Sequence, residues 1–191
     1  MIARMVLFVL IAVGGGLGSS WYMIEKGSAL TTRSHGPWVM WTAAGRSDAD
    51  PYTRAHFARR GVLPVTSTIA LTYEAAKDND GQPLYGNCDY AVEGEEPAAA
   101  WWSLSVYDDQ GRLIPNPAER YSFNSATLMR GSGPRFLITL APSARPGNWL
   151  PTGGTRRLTL VLNVEEPQAA GATLDVPELV KLPDIRKVAC L

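Results

Sequence analysis

The sequence has no excess of charge of either sign and very little histidine or cysteine, and these shortages exclude several classes of function. Its 18 Lys and Arg residues balance 18 Asp and Glu residues, so no net field attracts nucleic acid, and we expect no nucleic-acid partner. The two histidines, His35 and His56, and the two cysteines show neither H-x-x-x-H nor C-x-x-C spacing, which leaves too few ligands for a zinc site. We therefore expect no metal and no cofactor.

Catalytic motifs are also missing from the sequence. It contains neither a G-x-S-x-G elbow for a nucleophilic serine nor a glycine-rich phosphate loop followed by lysine. Acids such as Asp50, Asp89 and Asp108 could pair for glycoside chemistry, and His56 could act as a base, but solvated turn acids and a structural histidine are the more common roles. We assign no catalytic residue, and the sequence leans against an enzyme without deciding the question.

What the sequence does have is an uncharged N-terminal segment of twenty residues, from Met5 to Ile24. As a helix that rises about 1.5 Å per residue, it covers the roughly 30 Å of a bilayer's hydrocarbon layer. Trp21 and Tyr22 stand where the segment ends, a position that suits aromatic side chains at the headgroup level. The segment therefore predicts a transmembrane anchor over residues 1–25.

A cleaved signal peptide is the alternative to a retained anchor. Arg4 precedes the apolar run, and Gly16-Leu17-Gly18 resembles a small-x-small cleavage site. Hydrophobic character resumes at residues 21–24, which favours a retained anchor. In either case the bulk of the chain is exported, and we expect the N-terminus to stay inside and the rest of the chain to lie outside.

Residues 26–37 are predicted to form a linker, and residues 38–191 one folded domain. Hydrophobic residues make up 46% of the chain and charged residues 19%, a mixture that is typical of a chain with a buried core. One short helix is predicted in this domain, because Asp50 is a good N-cap, Pro51 suits the first helical position and Gly61 can end the helix in a left-handed conformation. The predicted buried face of this helix consists of Tyr52, Ala55 and Ala58.

The rest of the domain alternates apolar and polar residues with the period of two that is typical of half-buried strands. Tight reversals are predicted at residues 78–81 and 108–111, where Asn, Asp and Gly supply the required conformations, and a helical turn between Val176 and Leu182. The predicted strands cover residues 38–42, 65–74, 89–93, 101–107, 120–127, 135–140 and 156–165. Several short strands with a single helix indicate a mainly β fold, a jelly-roll-like antiparallel β-sandwich.

Four ordered motifs resemble the bacterial family called domain of unknown function 1214. They are DPYTRA at residues 50–55, WSLSVYD at 102–108, RYSF at 120–123 and NWLP at 148–151. The resemblance extends over residues 38–183. It implies a jelly-roll-like β-sandwich and no particular activity, since folds of this kind carry many unrelated functions.

The motifs contain the residues that we predict to form a ligand or partner surface. Arg54 could pair with a carboxylate such as Asp108 or line a ligand site, and Trp149 could pack over the core or stack on a sugar or peptide. Trp101 and Trp102 are adjacent in a strand, so one of them faces the core and the other a sheet surface. The candidate surface residues are Asp50, Tyr52, Arg54, Trp102, Asp108, Asn148 and Trp149.

Cys88 and Cys190 are the only cysteines in the sequence. An even number of cysteines in an exported chain favours one disulfide, which would close a loop of about a hundred residues and tie the C-terminal tail to the sheet. Two unlinked thiols are the alternative.

These observations favour a membrane-tethered binding or scaffolding module of the cell envelope over a catalyst. Its N-terminal helix would hold it in the bacterial inner membrane as a single pass, with the N-terminus in the cytoplasm and the domain in the periplasm. An envelope protein or a glycan would be its partner. The alternative is an envelope enzyme that acts on a carbohydrate or a lipid-linked substrate, for which aromatic residues and acids near the predicted loops are the only support.

Overall fold

The computed structural model describes residues 1–131, 133, 135–154, 156–167 and 180–190. The chain divides into two compact units. The first consists of residues 1–33 and 41–67, and the second of residues 34–40 and 68–191. The predicted limits of a linker at residues 26–37 and a domain at residues 38–191 stay predictions.

The first unit begins with a long apolar helix, α1, which spans Ile2–Lys26. None of its residues is classed as buried. Within the part of the chain that the structure describes, α1 is the one helix long and apolar enough to cross a membrane. A membrane anchor and a signal sequence both fit this description.

The second helix of this unit, α2, spans Pro51–Arg60 and confirms the predicted short helix. Asp50 is its N-cap and accepts hydrogen bonds from the backbone N–H groups of Tyr52 and Thr53 at 2.9 and 3.0 Å. Gly61 ends the helix with a φ of 65°, in the left-handed region that residues with a Cβ rarely adopt.

The predicted buried face of α2 was wrong, because polar side chains with fixed partners occupy the interior. Thr53 and His56 are buried. The Thr53 hydroxyl donates to the Asp50 carboxylate, and the His56 ring bonds the backbone carbonyl of Ile24 at 2.8 Å. Burial of a polar group is tolerated when it is hydrogen-bonded. The residues expected to be buried, Tyr52, Ala55 and Ala58, are half-buried or exposed.

Among the described residues, ten strands form two sheets, which belong to the second unit except for residues 32, 33 and 41 in the first two strands. In chain order they are β1 (Thr32–His35), β2 (Trp38–Trp41), β3 (Ala70–Ala75), β4 (Cys88–Glu95), β5 (Ala99–Asp108), β6 (Ser122–Asn124), β7 (Arg135–Ala141), β8 (Asn148–Pro151), β9 (Leu158–Pro167) and β10 (Asp184–Cys190). The larger sheet has the order β1-β2-β3-β9-β5-β6 and the smaller sheet the order β10-β4-β7-β8. Two sheets confirm the predicted sandwich.

One strand pair departs from the expected antiparallel arrangement. β8 runs parallel to β7, with Ile138 opposite Asn148 and Ala141 opposite Pro151. Parallel neighbouring strands usually need a long crossover connection. Here the paired region is only four residues long, so the chain has to travel back about 13 Å between the end of β7 and the start of β8. The six residues 142–147 reach up to about 20 Å, which is enough.

The core lies between the two sheets. Along β9 and β7 alternate residues are buried, as the pattern of apolar residues predicts. The rings of Trp102 on β5 and Phe136 on β7 stack with centroids 5.1 Å apart, so the two sheets meet through aromatic contact. The largest fully buried side chains are Trp38, Trp102, Tyr73, Tyr90, Leu84, Leu104, Ile138, Leu140, Leu150, Leu158, Leu160 and Leu162.

Most predicted strands are confirmed within a few residues, and the exceptions lie at sheet edges or strand ends. β3 begins at Ala70, five residues after the predicted start, and Val65 and Ile69 are exposed. β1, β8 and β10 were not predicted as strands. The predicted helical turn at Val176 to Leu182 falls largely on residues 176–179, which lie outside the described residues.

Both predicted reversals are confirmed and share one hydrogen-bonding scheme. The Asp78 carboxylate accepts from the backbone N–H groups of residues 80 and 82, and the Asp108 carboxylate from those of residues 110 and 112. Gly81 and Gly111 follow three residues after each aspartate with φ of 77° and 73°. The motif Asp-x-x-Gly therefore specifies each loop locally.

The predicted disulfide is confirmed, and it links Cys88 to Cys190 across a sequence separation of 102 residues. The two cysteines are paired opposite each other at the start of β4 and the end of β10. By loop-closure entropy, a cross-link over about a hundred residues contributes about 4.7 kcal/mol at most to the free energy of unfolding. The bridge thus fastens the C-terminal edge strand to the smaller sheet.

Candidate functional site

Three of the predicted surface residues, Asp50, Tyr52 and Arg54, belong to the first unit. Asp50 and Arg54 have structural roles there. Partial burial alone would raise the pKa of Asp50, but hydrogen bonds from the Thr53 hydroxyl and from the backbone of Thr53 and Tyr52 outweigh burial and lower this pKa. The carboxylate is therefore committed to the helix cap. Tyr52 is half-buried, and Arg54 is exposed and donates to the Ser47 carbonyl at 2.7 Å.

The other four predicted surface residues belong to the second unit. The prediction of Trp102 as a surface residue was wrong. Its side chain is buried in the core of the sandwich, so it offers no ligand surface. Its indole N–H donates to the Glu96 carboxylate at 3.2 Å, and Glu96 also accepts two hydrogen bonds from Arg130 at 2.7 and 2.9 Å. The neighbouring Trp101 is the half-buried one of the two.

Asp108 holds the β5–β6 loop closed rather than presenting a free acid. Besides the two backbone N–H groups, it accepts from the Arg112 guanidinium at 2.9 and 3.0 Å. The hydrogen bond from the Arg112 backbone is the main cause that lowers the pKa of Asp108, and it outweighs burial, which acts in the opposite direction. The carboxylate borders a groove of about 260 Å³ that is also lined by Ile114, Thr152 and Arg156.

Asn148 is a buried clamp at the start of β8. Its amide oxygen accepts from the backbone N–H of Met129 at 2.8 Å. Its amide nitrogen donates to the carbonyls of Met129 and Leu137 at 2.9 and 3.0 Å. One side chain thereby fixes the segment around Met129 against β7, where no regular strand pairing does so.

Trp149 is half-buried on the edge strand β8. Its indole N–H donates to the Ala141 carbonyl at 3.0 Å, and its own carbonyl accepts from Arg120 at 3.0 Å. The Arg120 guanidinium lies 5.5 Å from the ring centroid of Phe123 and 5.9 Å from that of Trp149. Because Arg120 already donates a hydrogen bond to the Trp149 carbonyl on this edge strand, it limits pairing of β8 with a further strand.

Beside the clamp lies a groove on the outer face of the smaller sheet, which we call the outer groove. Its volume is about 360 Å³, within the range of ligand sites. Leu137 projects outward from β7 between the buried Phe136 and Ile138 and is 49% exposed. The lining consists of Glu93, Met129, Gly131, Arg135, Phe136, Leu137, Thr139, Pro146, Gly147 and Asn148.

Two ion pairs lie on the sheet around the outer groove, and the Arg135 side chain lines the groove itself. Arg186 on β10 donates to the Glu93 carboxylate at 2.9 Å, and Arg145 lies 2.6 Å from the Asp89 carboxylate on β4. Opposite charges at these distances largely cancel the local field. The outer groove thus has an apolar centre formed by Leu137 and Met129, and its rim is polar and includes the Arg135 side chain.

Leu137 and Met129 were not predicted as site residues, although the sequence contains a signal for one of them. In the segment RFLITL at residues 135–140, the core positions are Phe136, Ile138 and Leu140, so Leu137 is an apolar residue at an outward position. Met129 has no such signal, because Asn148, nineteen residues later in the chain, holds it in place.

The described residues contain no cluster of side chains that would suit a metal ion. No group of three or more His, Cys, Asp and Glu side chains there lies close enough together to hold a metal ion.

Comparison with known proteins links this fold to a family without an assigned role. The model of the family described as Protein of unknown function (DUF1214) matches residues 69–169. No curated protein matches the chain. The VPA0106 protein from Vibrio parahaemolyticus, a solved structure, matches with a TM-score of 0.58 and 20% identity over 74% of this chain and 36% of that chain. At this identity the likeness concerns the fold alone.

A second solved structure, an uncharacterised protein from Burkholderia cenocepacia, matches with a TM-score of 0.40 and 16% identity. It covers 62% of this chain and 29% of that chain. The chain spans about a third of the length of these two solved chains.

Proposed function

This chain belongs to the family described as Protein of unknown function (DUF1214), and we propose that it is a membrane-tethered module of the cell envelope that binds a protein partner in its outer groove. Helix α1 would hold it in the bacterial inner membrane, with the N-terminus in the cytoplasm and the sandwich in the periplasm. The observation that carries the proposal is an exposed apolar groove, centred on Leu137 and Met129, on a sheet that also carries the Arg145–Asp89 and Arg186–Glu93 ion pairs.

The lining of the outer groove favours a protein segment over a glycan. Leucine and methionine side chains adapt to apolar side chains of a partner, and methionine is common at such surfaces. Sugar recognition usually needs an exposed aromatic ring to stack on, but Phe136 is buried and the Trp149 indole is bound to the Ala141 carbonyl. We therefore propose a protein partner, and the photocrosslinking experiment below distinguishes it from a glycan.

The compartment is supported by two features. A disulfide between Cys88 and Cys190 suits an oxidising compartment such as the periplasm. The uncharged length of α1 suits a span from the cytoplasm to that compartment. Alkaline phosphatase fused to the C-terminus of the full chain should be active, because this enzyme is active in the periplasm. If this fusion is inactive and a reporter that works in the cytoplasm is active at the same site, the proposed periplasmic location of the sandwich is contradicted.

An envelope enzyme receives less support. Such an enzyme would draw on Asp108, but this carboxylate is bound by Arg112 and its pKa is lowered, so it is a poor proton donor at neutral pH.

Site-specific photocrosslinking tests the proposed groove. A photoreactive phenylalanine analogue replaces Leu137 in the full chain, and a matched variant carries it at Leu113, which is 47% exposed and lies between β5 and β6. In native membranes we expect a discrete protein adduct from position 137 and none from position 113. The same adducts from both positions, or adducts that lysozyme digestion removes, would refute a protein site in this groove.

A further inference from the structure

The first unit contains a pair of helices joined at the end of α1. The His56 ring bonds the Ile24 carbonyl at 2.8 Å, and because a carbonyl only accepts, Nδ1 is the protonated nitrogen. The Arg59 guanidinium lies 2.9 Å from the Glu25 carboxylate and 4.0 Å from the centroid of the Trp21 ring. Three contacts of different kinds thus fix α2 on the last two turns of α1.

Arg59 brings the C-terminal turn of α2 close to the end of α1. One turn after His56, its guanidinium contacts both Glu25 and Trp21, which lie one turn apart on α1. Residues 61–65 begin two residues after Arg59, so this segment starts beside the same part of α1. Trp21 and Tyr22 stand there, where α1 would leave the hydrocarbon layer.

The segment that follows α2 has the side chains of an interfacial loop. Val62, Leu63 and Val65 are exposed, and Leu63 is 94% exposed. Arg59 and Arg60 precede them, and Lys26 ends α1. Apolar side chains flanked by cations are typical of protein surfaces that enter the boundary between headgroups and acyl chains, since the cations meet lipid phosphates there.

We propose that residues 61–65 form a lipid-contact loop that inserts into the headgroup layer of the membrane that α1 spans. Leu63 enters the acyl boundary, and Arg60 and Lys26 face the phosphates of acidic phospholipids. The proposal rests on the proposed function in one respect, namely that α1 stays in the membrane. It adds a second point of attachment, so that α2 is held at a fixed height above the bilayer rather than swinging from a single helix.

The test measures the depth of single nitroxide labels in the full chain. Leu63→Cys carries the label at the loop, Ser47→Cys at the exposed approach to the opposite end of α2, and Leu10→Cys inside α1. Cys88 and Cys190 are bonded to each other, so the label attaches only to the introduced thiol. The protein is placed in nanodiscs of equal parts phosphatidylglycerol and phosphatidylcholine, and collision rates with oxygen and with a water-soluble nickel complex are compared.

We expect the ratio of oxygen to nickel collisions at position 63 to exceed that at position 47 several-fold. In nanodiscs of phosphatidylcholine alone the ratio at position 63 should fall, because the cations lose the acidic headgroups. An unchanged ratio there would overturn the role of Arg60 and Lys26. If position 63 is as open to nickel as position 47 while position 10 is shielded, the lipid-contact loop is refuted and the anchor stands.

One further result would contradict the proposed function as well as the lipid-contact loop. If the label at position 10 is also open to nickel, α1 does not lie in the membrane, and both the anchor and the loop proposal fail. Circular dichroism of each labelled variant is compared with that of the wild type. Leu63 is almost wholly exposed, so its substitution is not expected to affect folding.

Discussion

The Asn148 clamp allows a sharp test of how the outer groove is built, because one buried amide joins three backbone groups. In Asn148→Asp the shape is kept, but an oxygen replaces the NH₂ group that donates to the carbonyls of Met129 and Leu137. Each buried polar group left without a partner costs about 1–3 kcal/mol, so two such carbonyls predict a loss of about 2–6 kcal/mol in the free energy of unfolding at pH 7.

The pH dependence of this loss has a definite sign. Burial beside two carbonyl oxygens raises the pKa of the introduced carboxyl group in the folded state above its value in the unfolded chain, about 3.9. When protonated, its O–H can donate to one of the two carbonyls. The destabilisation relative to wild type is therefore smallest below the unfolded pKa and grows as the pH rises through the folded pKa.

Urea unfolding of the full chain in detergent micelles, followed by tryptophan fluorescence between pH 4 and pH 7, measures these differences. Asn116→Asp is the matched control, because Asn116 makes the same three bonds, donating to the carbonyls of Ile114 and Arg120 and accepting from the Arg120 N–H, but is half-buried. Water can reach its partners, so the loss there should be less than half as large. Equal losses at the two positions, or a loss at Asn148 that does not change with pH, would refute the reasoning.

Two further variants test the core and the bridge. Tyr73→Phe should raise the free energy of unfolding by about 1 kcal/mol, since the Tyr73 hydroxyl is buried and has no hydrogen-bond partner among the described residues. Burial raises the pKa of Tyr73 to about 12, so wild type should lose stability between about pH 10 and pH 12, where the unfolded chain ionises first, and the variant should lose less. A lower stability of Tyr73→Phe at pH 8 would contradict this reasoning. Cys190→Ser, which breaks the bridge to Cys88, should lower the free energy of unfolding by about 2–5 kcal/mol, and a melting curve that matches the oxidised wild type would contradict it.

The parts of the fold that the sequence predicts are those with local causes. Asp50, Pro51 and Gly61 define the ends of α2 through their own backbone preferences, and the structure follows them to the residue. Asp78 and Asp108 define their loops through bonds to N–H groups two and four residues later. In these places a short stretch of chain contains both the group and its partner.

The missed strands have causes elsewhere in the chain. β8 and β10 are edge strands of the smaller sheet, with only one pairing neighbour each. β8 has four residues beginning with Asn148, whose side chain acts as a clamp rather than as part of an alternating pattern. In β10 only Ile185 is buried, and the residues that follow it are exposed. The register of β10 is therefore set by its pairing with β4 and by the disulfide. Neither supplies a periodic signal.

The candidate site was only partly predictable for the same reason. Conspicuous residue types, such as Trp102 and Asp108, mark positions where the fold needs a large ring or a fixed carboxylate, and both are used internally. A surface that remains available for a partner is instead marked by an ordinary residue in an unusual place. Leu137 at an outward strand position and Leu63 after a helix end are such residues, since both leave apolar surface exposed. The proposals for the outer groove and for the lipid-contact loop therefore start from apolar residues that the period of their elements does not place in the core, rather than from the tryptophans and acids.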